Sequence, residues 1–233
     1  STQGVSSAAS DVYKRQYLAL GADPVAMLTT SVMAAPCALY LSKILIPELN
    51  VPATTGDAEI IVRAEHVNVI DAAASGAADG MRLALNVAAM LIAFLALVAM
   101  VDYLLGIGNS GLSLAGIFAT LFSPISVLLG VSGADVPILS DLLGTKLVTN
   151  EFVAYVSLGE MKTAGEFVEQ KSIIIATYIL CGFANFASIG IQIGGIGALA
   201  SKRRADVSKL GFLALIGGTI ASLFTAVIVG MLI

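Results

Sequence analysis

Five stretches of this chain contain no Asp, Glu, Lys or Arg: 24–42, 83–101, 103–134, 172–201 and 210–233. The shortest holds 19 residues. As a helix rising about 1.5 Å per residue, it reaches about 28 Å, close to the hydrocarbon thickness of a bilayer. Across all 233 residues, 58% are hydrophobic and only 12% charged, and the mean hydropathy is +0.94. A soluble domain does not carry such a balance, so the chain reads as a polytopic helical membrane protein. A transmembrane barrel is excluded because its strands alternate in polarity, whereas these blocks are continuously apolar.

Composition removes further classes. A net charge of −4, no Trp and six scattered Tyr leave no basic-aromatic footprint, so nucleic acid is not an expected partner. Cys37 and Cys181 both sit inside apolar blocks and read as small buried hydrophobes rather than a disulfide. One His, His66 in a polar linker, and two distant Cys do not make a zinc site. Walker glycines are absent, and no nucleophile has a histidine partner nearby in sequence. Asp79-Gly80-Met81-Arg82 resembles the start of a membrane phosphotransferase signature, but no acid follows before Asp102. No catalytic residue, metal site or cofactor is therefore expected, and the chain does not read as an enzyme.

Residues 1–16 are polar and Ser-rich, without the apolar core of a signal peptide. They read as a non-native or disordered leader on a membrane domain of residues 17–233. A first span is expected over 24–46, then an aqueous loop over 47–66 with two Pro and four acids. The Ala-rich segment 67–82 reads as an interfacial helix, followed by a second span from Leu83 to Leu105. Segment 112–131, interrupted by Pro124, reads as an interfacial or tilted helix. Segment 136–158 carries Asp141, Lys146 and Glu151 and reads as a re-entrant hairpin, since charge and irregular backbone at membrane depth must line protein or a watery cavity. Block 172–200 is expected to break in its middle, over 181–190, and again at Gly194, Gly195 and Gly197. Lys202, Arg203, Arg204 and Lys209 then form the densest basic cluster, which points to the cytoplasmic side. A last span over 210–233 places the C-terminus outside.

Three polar side chains stand out against this background. Glu151, in LVTNEFVAY, is a carboxylate between apolar turns and must meet a cation, a donor-rich ligand or its own proton. The structural alternative pairs it with Lys146. Asn185 and Ser188 lie three residues apart, which puts an amide and a hydroxyl on one helix face or at a break. They suit a polyol, and equally they suit interhelical hydrogen bonding. Gly190 and Gly194 read as a close-packing stripe.

The segments NVIDAAASGAADGMRLALNVAAMLIAF, GTKLVTNEFVAY and ATYILCGFANFASIGIQIGGIGALASKRR closely resemble the concentrative nucleoside transporter family. The resemblance runs from about Tyr17 to Ile233 and corresponds to the C-terminal half or slightly more of a family member. It implies a homotrimer in the cell membrane, with protomers built from an inverted repeat, re-entrant hairpins and broken helices. It also implies nucleoside uptake coupled to sodium or protons by an elevator-like movement. By resemblance, Glu151 at the second hairpin, together with Asn185 and Ser188, contacts ribose, and Phe183 lies beside the site. Ala187 stands where many members have Ser. The first hairpin, which reads the base, and the neighbouring broken helix of the sodium site are expected before Tyr17. The 233 residues are accordingly expected to be inactive alone.

The resulting expectation is an all-α integral membrane bundle: about four spans in contact with lipid, one re-entrant hairpin, one broken transmembrane helix and two interfacial helices. It would form the second half of an inverted-repeat transporter. The alternatives are a symporter for another polyol-like solute and a non-catalytic membrane scaffold or oligomerisation piece.

Overall fold

The computed structural model describes residues 17–18, 22–47, 49, 67–107, 111–199 and 201–233, and these are helical with no strand among them. The leader 1–16, His66 and most of the 47–66 loop lie outside the described residues. Helix α1 (Pro24–Leu45) begins where the Asp23 carboxylate accepts the Val25 amide at 2.8 Å and Pro24 fixes the first φ. It packs on the last helix, where Leu45 lies against Gly217, and its buried residues are Ala26, Met27 and Thr30, with Met27 meeting the Tyr155 hydroxyl.

Helix α2 (Val69–Gly106) is a single rod of 38 residues. This corrects the expectation of an interfacial helix followed by a separate span. Asn68 caps the start by accepting the Asp71 amide at 2.8 Å, and no proline interrupts the alanine-rich run. Gly76 and Gly80 weaken a helix by only about 1 kcal/mol each, too little to break a long apolar rod. At about 57 Å, α2 is longer than a bilayer core needs.

Helix α3 (Leu114–Leu128) starts at two carboxyl and hydroxyl caps: Asp102 accepts the Leu114 amide at 2.6 Å and Ser113 the Gly116 amide at 3.1 Å. Pro124 sits inside it without ending it. Helix α4 (Val136–Val148) lies close against α3, and a Cβ at Gly144 would overlap the Ala115 carbonyl. Helix α5 (Glu151–Ala164) follows after only Thr149 and Asn150, then stops at Gly165, whose φ of +71° opens a left-handed C-cap.

Together α4 and α5 make a helical hairpin with a defined tip and base. At the tip, the Asn150 side chain accepts the Val153 amide at 2.9 Å and so restarts the helix. At the base, the fully buried Asp135 accepts the amides of Val168 at 2.8 Å and Glu169 at 3.1 Å. Thirteen and fourteen residues give arms of about 20 Å each, shorter than a bilayer core.

The second broken element consists of α6 (Gln170–Leu180) and α7 (Phe186–Leu199). The break spans only 181–185. Gly190, Gly194, Gly195 and Gly197 lie inside α7, so the break is not prolonged there, while Gly190 and Gly194 pack as the close-packing stripe expected of them. A Cβ at Gly190 would stand 2.7 Å from the Phe94 ring, and one at Gly194 3.3 Å from the Asn86 carbonyl, so α7 rests directly on α2. A short 3-10 turn (Ser201–Arg203) leads into α8 (Arg204–Leu232), which starts earlier than its apolar core and carries Asp206 and Lys209 in its first turns.

Helices α1 and α2, and the rod from Ser201 to Leu232, are long and apolar enough to cross a membrane. Their large apolar side chains are mostly outward, for example Leu39, Ile92 and Phe212. The dry core lies instead in the short elements: Leu139, Leu142, Tyr155, Ile175, Ile179 and Leu180 are 0–1% exposed. That distribution fits a bundle whose long helices face lipid while hairpin and half-helices face protein.

Candidate solute-binding site at a hairpin tip and a helix break

Glu151 occupies the first turn of α5, at the hairpin tip, and is only 4% exposed. Its position at a helix N-terminus places the carboxylate at the positive end of the peptide dipoles. Two donors meet it. The Asn185 side-chain amide donates to Oε2 at 2.7 Å, and the Tyr17 hydroxyl donates to Oε1 at 3.1 Å.

Asn185 and Ser188 form the start of α7. The Asn185 Oδ1 accepts the Ser188 amide at 2.7 Å, while the Ser188 Oγ donates to the Asn185 carbonyl at 2.6 Å and accepts the Asn185 amide at 3.3 Å. This reciprocal cap resembles a capping box with Ser in place of Glu. Both residues are buried. Their spacing therefore serves the break itself, with Asn185 also turned to Glu151, and neither bridges two intact helices.

The break is shaped by Gly182, whose φ of +149° suits glycine alone and whose missing Cβ would stand 2.8 Å from the Ser222 hydroxyl. Phe183 follows it and is 49% exposed, outside the core. Of the four expected site residues, Glu151, Asn185 and Ser188 are joined in one hydrogen-bonded group, and Phe183 lies two residues before Asn185 at the same break.

The alternative pairing of Glu151 with Lys146 is not made. The Lys146 ammonium, 2% exposed, donates to the Ile179 carbonyl at 2.6 Å and to the Ser222 Oγ at 3.3 Å. It attracts Glu151 across the site without contact. A five-residue spacing does not bring the two onto one face, and the tip turn separates their helices.

One contributor carried no sequence signal, and another carried only part of one. Tyr17 reaches Glu151 across 134 residues and stacks on Tyr155 with ring centroids 4.7 Å apart. Tyr155 in turn donates to the Thr177 carbonyl at 2.9 Å, locking α5 to α6. A lone tyrosine in an apolar run reads as core until its partner's position is known. Lys146 was legible as a charge at depth, but its acceptor, a carbonyl beside the break, was not.

A carboxylate, an amide and a hydroxyl on interrupted backbone provide acceptors and donors within one small volume, the set that vicinal hydroxyls require. No His/Cys/Asp/Glu group among the described residues could hold a metal ion, and neither cysteine is in a disulfide.

Known proteins share this architecture. YutK of Bacillus subtilis (strain 168), an uncharacterised transporter, is 44% identical over 93% of this chain and 54% of its own length. Sodium/nucleoside cotransporter 1 of Rattus norvegicus is 39% identical over 93% of this chain and 36% of its own length. The chain thus spans about half the length, or less, of the curated relatives it matches. Among solved structures, an outward-facing double variant of CNTnw superposes with a TM-score of 0.82 at 36% identity, covering 94% of this chain and 54% of that one. CNTnw in an inward-facing substrate-bound state gives 0.73 at 40% identity, covering 92% and 52%. The match to "Na+ dependent nucleoside transporter C-terminus" extends over residues 26–230, and the chain belongs to that family of membrane transporters.

Proposed function

We propose that the protein of which this chain forms part carries nucleosides across the cell membrane by symport with a cation, sodium or proton. Glu151, Asn185 and Ser188 hold the ribose hydroxyls, and Phe183 flanks the sugar. The observation that carries this reading is the Glu151–Asn185 bond: a nearly dry carboxylate at a hairpin tip, held against an amide at a helix break. A purely structural carboxylate in that position would be a costly way to join two helices, since burying its charge costs several kcal/mol and an apolar pair packs as well.

In the same reading, the α4–α5 hairpin is re-entrant, because its arms of about 20 Å fall short of the bilayer core. The broken pair α6–α7 completes the crossing that neither half-helix makes alone. The protein is multi-pass, the C-terminus faces outward, and three copies assemble as a homotrimer. The higher superposition on the outward-facing relative supports an outward-open setting of the site.

The test is uptake by the full-length protein, as its gene encodes it, in liposomes with an imposed inward sodium or proton gradient. Uridine and adenosine are expected to accumulate under one of the two gradients, saturably, and unlabelled nucleosides to compete. Accumulation of ribitol with no accumulation of nucleosides would replace this reading by one of a polyol symporter.

A further inference from the structure

Lys146 is the buried cation that the ribose site does not use. It lies on α4, three residues before the hairpin tip, and its ammonium crosses to two other elements. The Ile179 carbonyl belongs to the last turn of α6, and its helical partner would be the amide of Phe183, which lies within the break where the helix no longer continues. The ammonium takes that orphaned acceptor at 2.6 Å. Its second acceptor, the Ser222 Oγ, comes from α8 and itself donates to the Gly218 carbonyl at 3.1 Å. On the other side of the same hydroxyl lies bare Gly182, whose Cβ would stand 2.8 Å away. Ammonium, freed carbonyl, hydroxyl and glycine thus form one tight layer directly behind Phe183 and Asn185.

A buried ammonium is an expensive way to fill space. Methionine has a similar length and needs no hydration replaced, and an orphaned carbonyl at a helix end is more commonly met by a glycine cap or by water. What the ammonium adds is a fixed direction, since it ties the end of α6 to both α4 and α8. It also adds a positive charge that attracts the Glu151 carboxylate without touching it.

We propose that Lys146 is a positioning residue for the solute: by clamping the Ile179 carbonyl it sets the backbone path through 181–185, and so the placement of Phe183 and Asn185 opposite Glu151. Solute binding then depends on a residue that touches no solute. The kinetic part of this proposal rests on the nucleoside-transport reading, and the structural part does not.

The experiment uses the full-length protein with every cysteine except Cys181 replaced, because Cys181 caps the end of α6 and the residue is partly exposed. Lys146→Met and Ser222→Ala are compared with the parent in two measurements: alkylation of Cys181 by a maleimide, and the KM and kcat of gradient-driven uridine uptake. For Lys146→Met the expected result is Cys181 alkylation at least about fivefold faster and KM about tenfold higher with kcat within about threefold, the scale of one lost charged hydrogen bond. Ser222→Ala, which keeps the charge and loses one acceptor, is expected to move both in the same direction by about two- to threefold. Alkylation and KM both within about twofold of the parent in Lys146→Met, or a fall in kcat with KM unchanged, would overturn the proposal. Should Lys146→Met not fold, Ser222→Ala decides by the same two readouts. Absence of uridine uptake in the parent would overturn the transport reading, while the Cys181 arm still decides the role of Lys146.

Discussion

Asn185 donates its side-chain amide to Glu151 at 2.7 Å across 34 residues of chain, joining the tip of one helical hairpin to the break of a discontinuous helix. Each partner is also the starting residue of a helix. Glu151 opens α5, and Asn185 caps α7 through the Ser188 amide. Two helix N-termini therefore converge on one carboxylate, which concentrates donors and positive peptide dipoles where a hydroxylated solute would meet an acceptor.

Substitution of that carboxylate tests its role most directly. In the full-length protein, Glu151→Gln keeps shape and most hydrogen-bonding capacity but loses the charge. Nucleoside affinity is expected to fall by about 1.5–3 kcal/mol, the scale of a charged hydrogen bond. The loss is expected to be smaller for a 2′,3′-dideoxynucleoside, which lacks the vicinal hydroxyls. Calorimetric affinity for both ligands checks this, and equal losses would place the contact elsewhere than ribose.

The proposed orientation rests on the basic cluster before α8, where Lys202 and Arg203 are exposed and the Arg203 Nε bonds the Asp206 carboxylate at 2.6 Å. Positive charge beside a span is retained on the cytoplasmic side. A cysteine at Ser201 is expected to react with a membrane-impermeant maleimide only from the cytoplasm, and one appended after Ile233 only from outside. The reverse pattern would invert the proposed topology.

The hairpin base offers a stability test away from the site. Asp135 is fully buried and accepts two backbone amides. Asp135→Ala leaves both amides without their acceptor and is expected to cost about 3 kcal/mol, whereas Asp135→Asn retains one acceptor oxygen and is expected to cost about half as much. Unfolding midpoints in detergent would show the ranking, and equal midpoints for all three proteins would mean that the base is held by packing alone.

Much of this architecture was legible in residue order. Charge-free blocks marked α1, the apolar part of α2, the α6–α7 pair and α8 because a bilayer excludes charge over a fixed length. The short hairpin was legible because Lys146 and Glu151 interrupt such a block. Glu151, Asn185 and Ser188 stood out as polar groups without water. What residue order did not carry was continuity and partnership. Nothing local distinguishes an Ala-rich segment that stops at the interface from one that continues, so 67–82 and 83–105 merged into one rod. The glycines of α7 admitted two readings, a break or, at Gly190 and Gly194, a packing stripe, because a glycine in a helix is ambiguous until the opposing Phe94 and Met90 are in view. Tyr17 and the acceptor of Lys146 depend on contacts more than thirty residues away, which spacing does not encode.

Gly190 of α7 and Gly144 of α4 show two kinds of close approach. Gly190 faces the Phe94 side chain at a hypothetical Cβ distance of 2.7 Å, while Gly144 faces the backbone of α3 at Ala115 and Ala119. Gly190→Ala is expected to destabilise by about 1–3 kcal/mol through overpacking and to be partly relieved by Phe94→Ala. Gly144→Ala meets backbone that no side-chain change removes, so its cost is expected to be larger and to persist with α3 side chains shortened. Unfolding midpoints of the single and double variants would reveal this, and equal relief in both cases would contradict the distinction.

The final expectation concerns how Glu151, Asn185 and Ser188 act together. Asn185→Ala removes the donor to Glu151 and the cap on Ser188 in one step, whereas Ser188→Ala leaves both of those bonds in place. Asn185→Ala is therefore expected to lower nucleoside affinity more than Ser188→Ala does. A double-mutant cycle between Asn185→Ala and Glu151→Gln is expected to show coupling of about 1–3 kcal/mol, because once the carboxylate is lost the amide no longer has its charged acceptor to hold. Ser188→Ala paired with Glu151→Gln is expected to come closer to additive, since the hydroxyl bonds only Asn185 backbone groups. Affinities measured by calorimetry for the five variants and the parent decide the matter. Additive losses for the Asn185 and Glu151 pair would mean that their 2.7 Å bond does not organise the solute site, and that each residue meets the nucleoside independently.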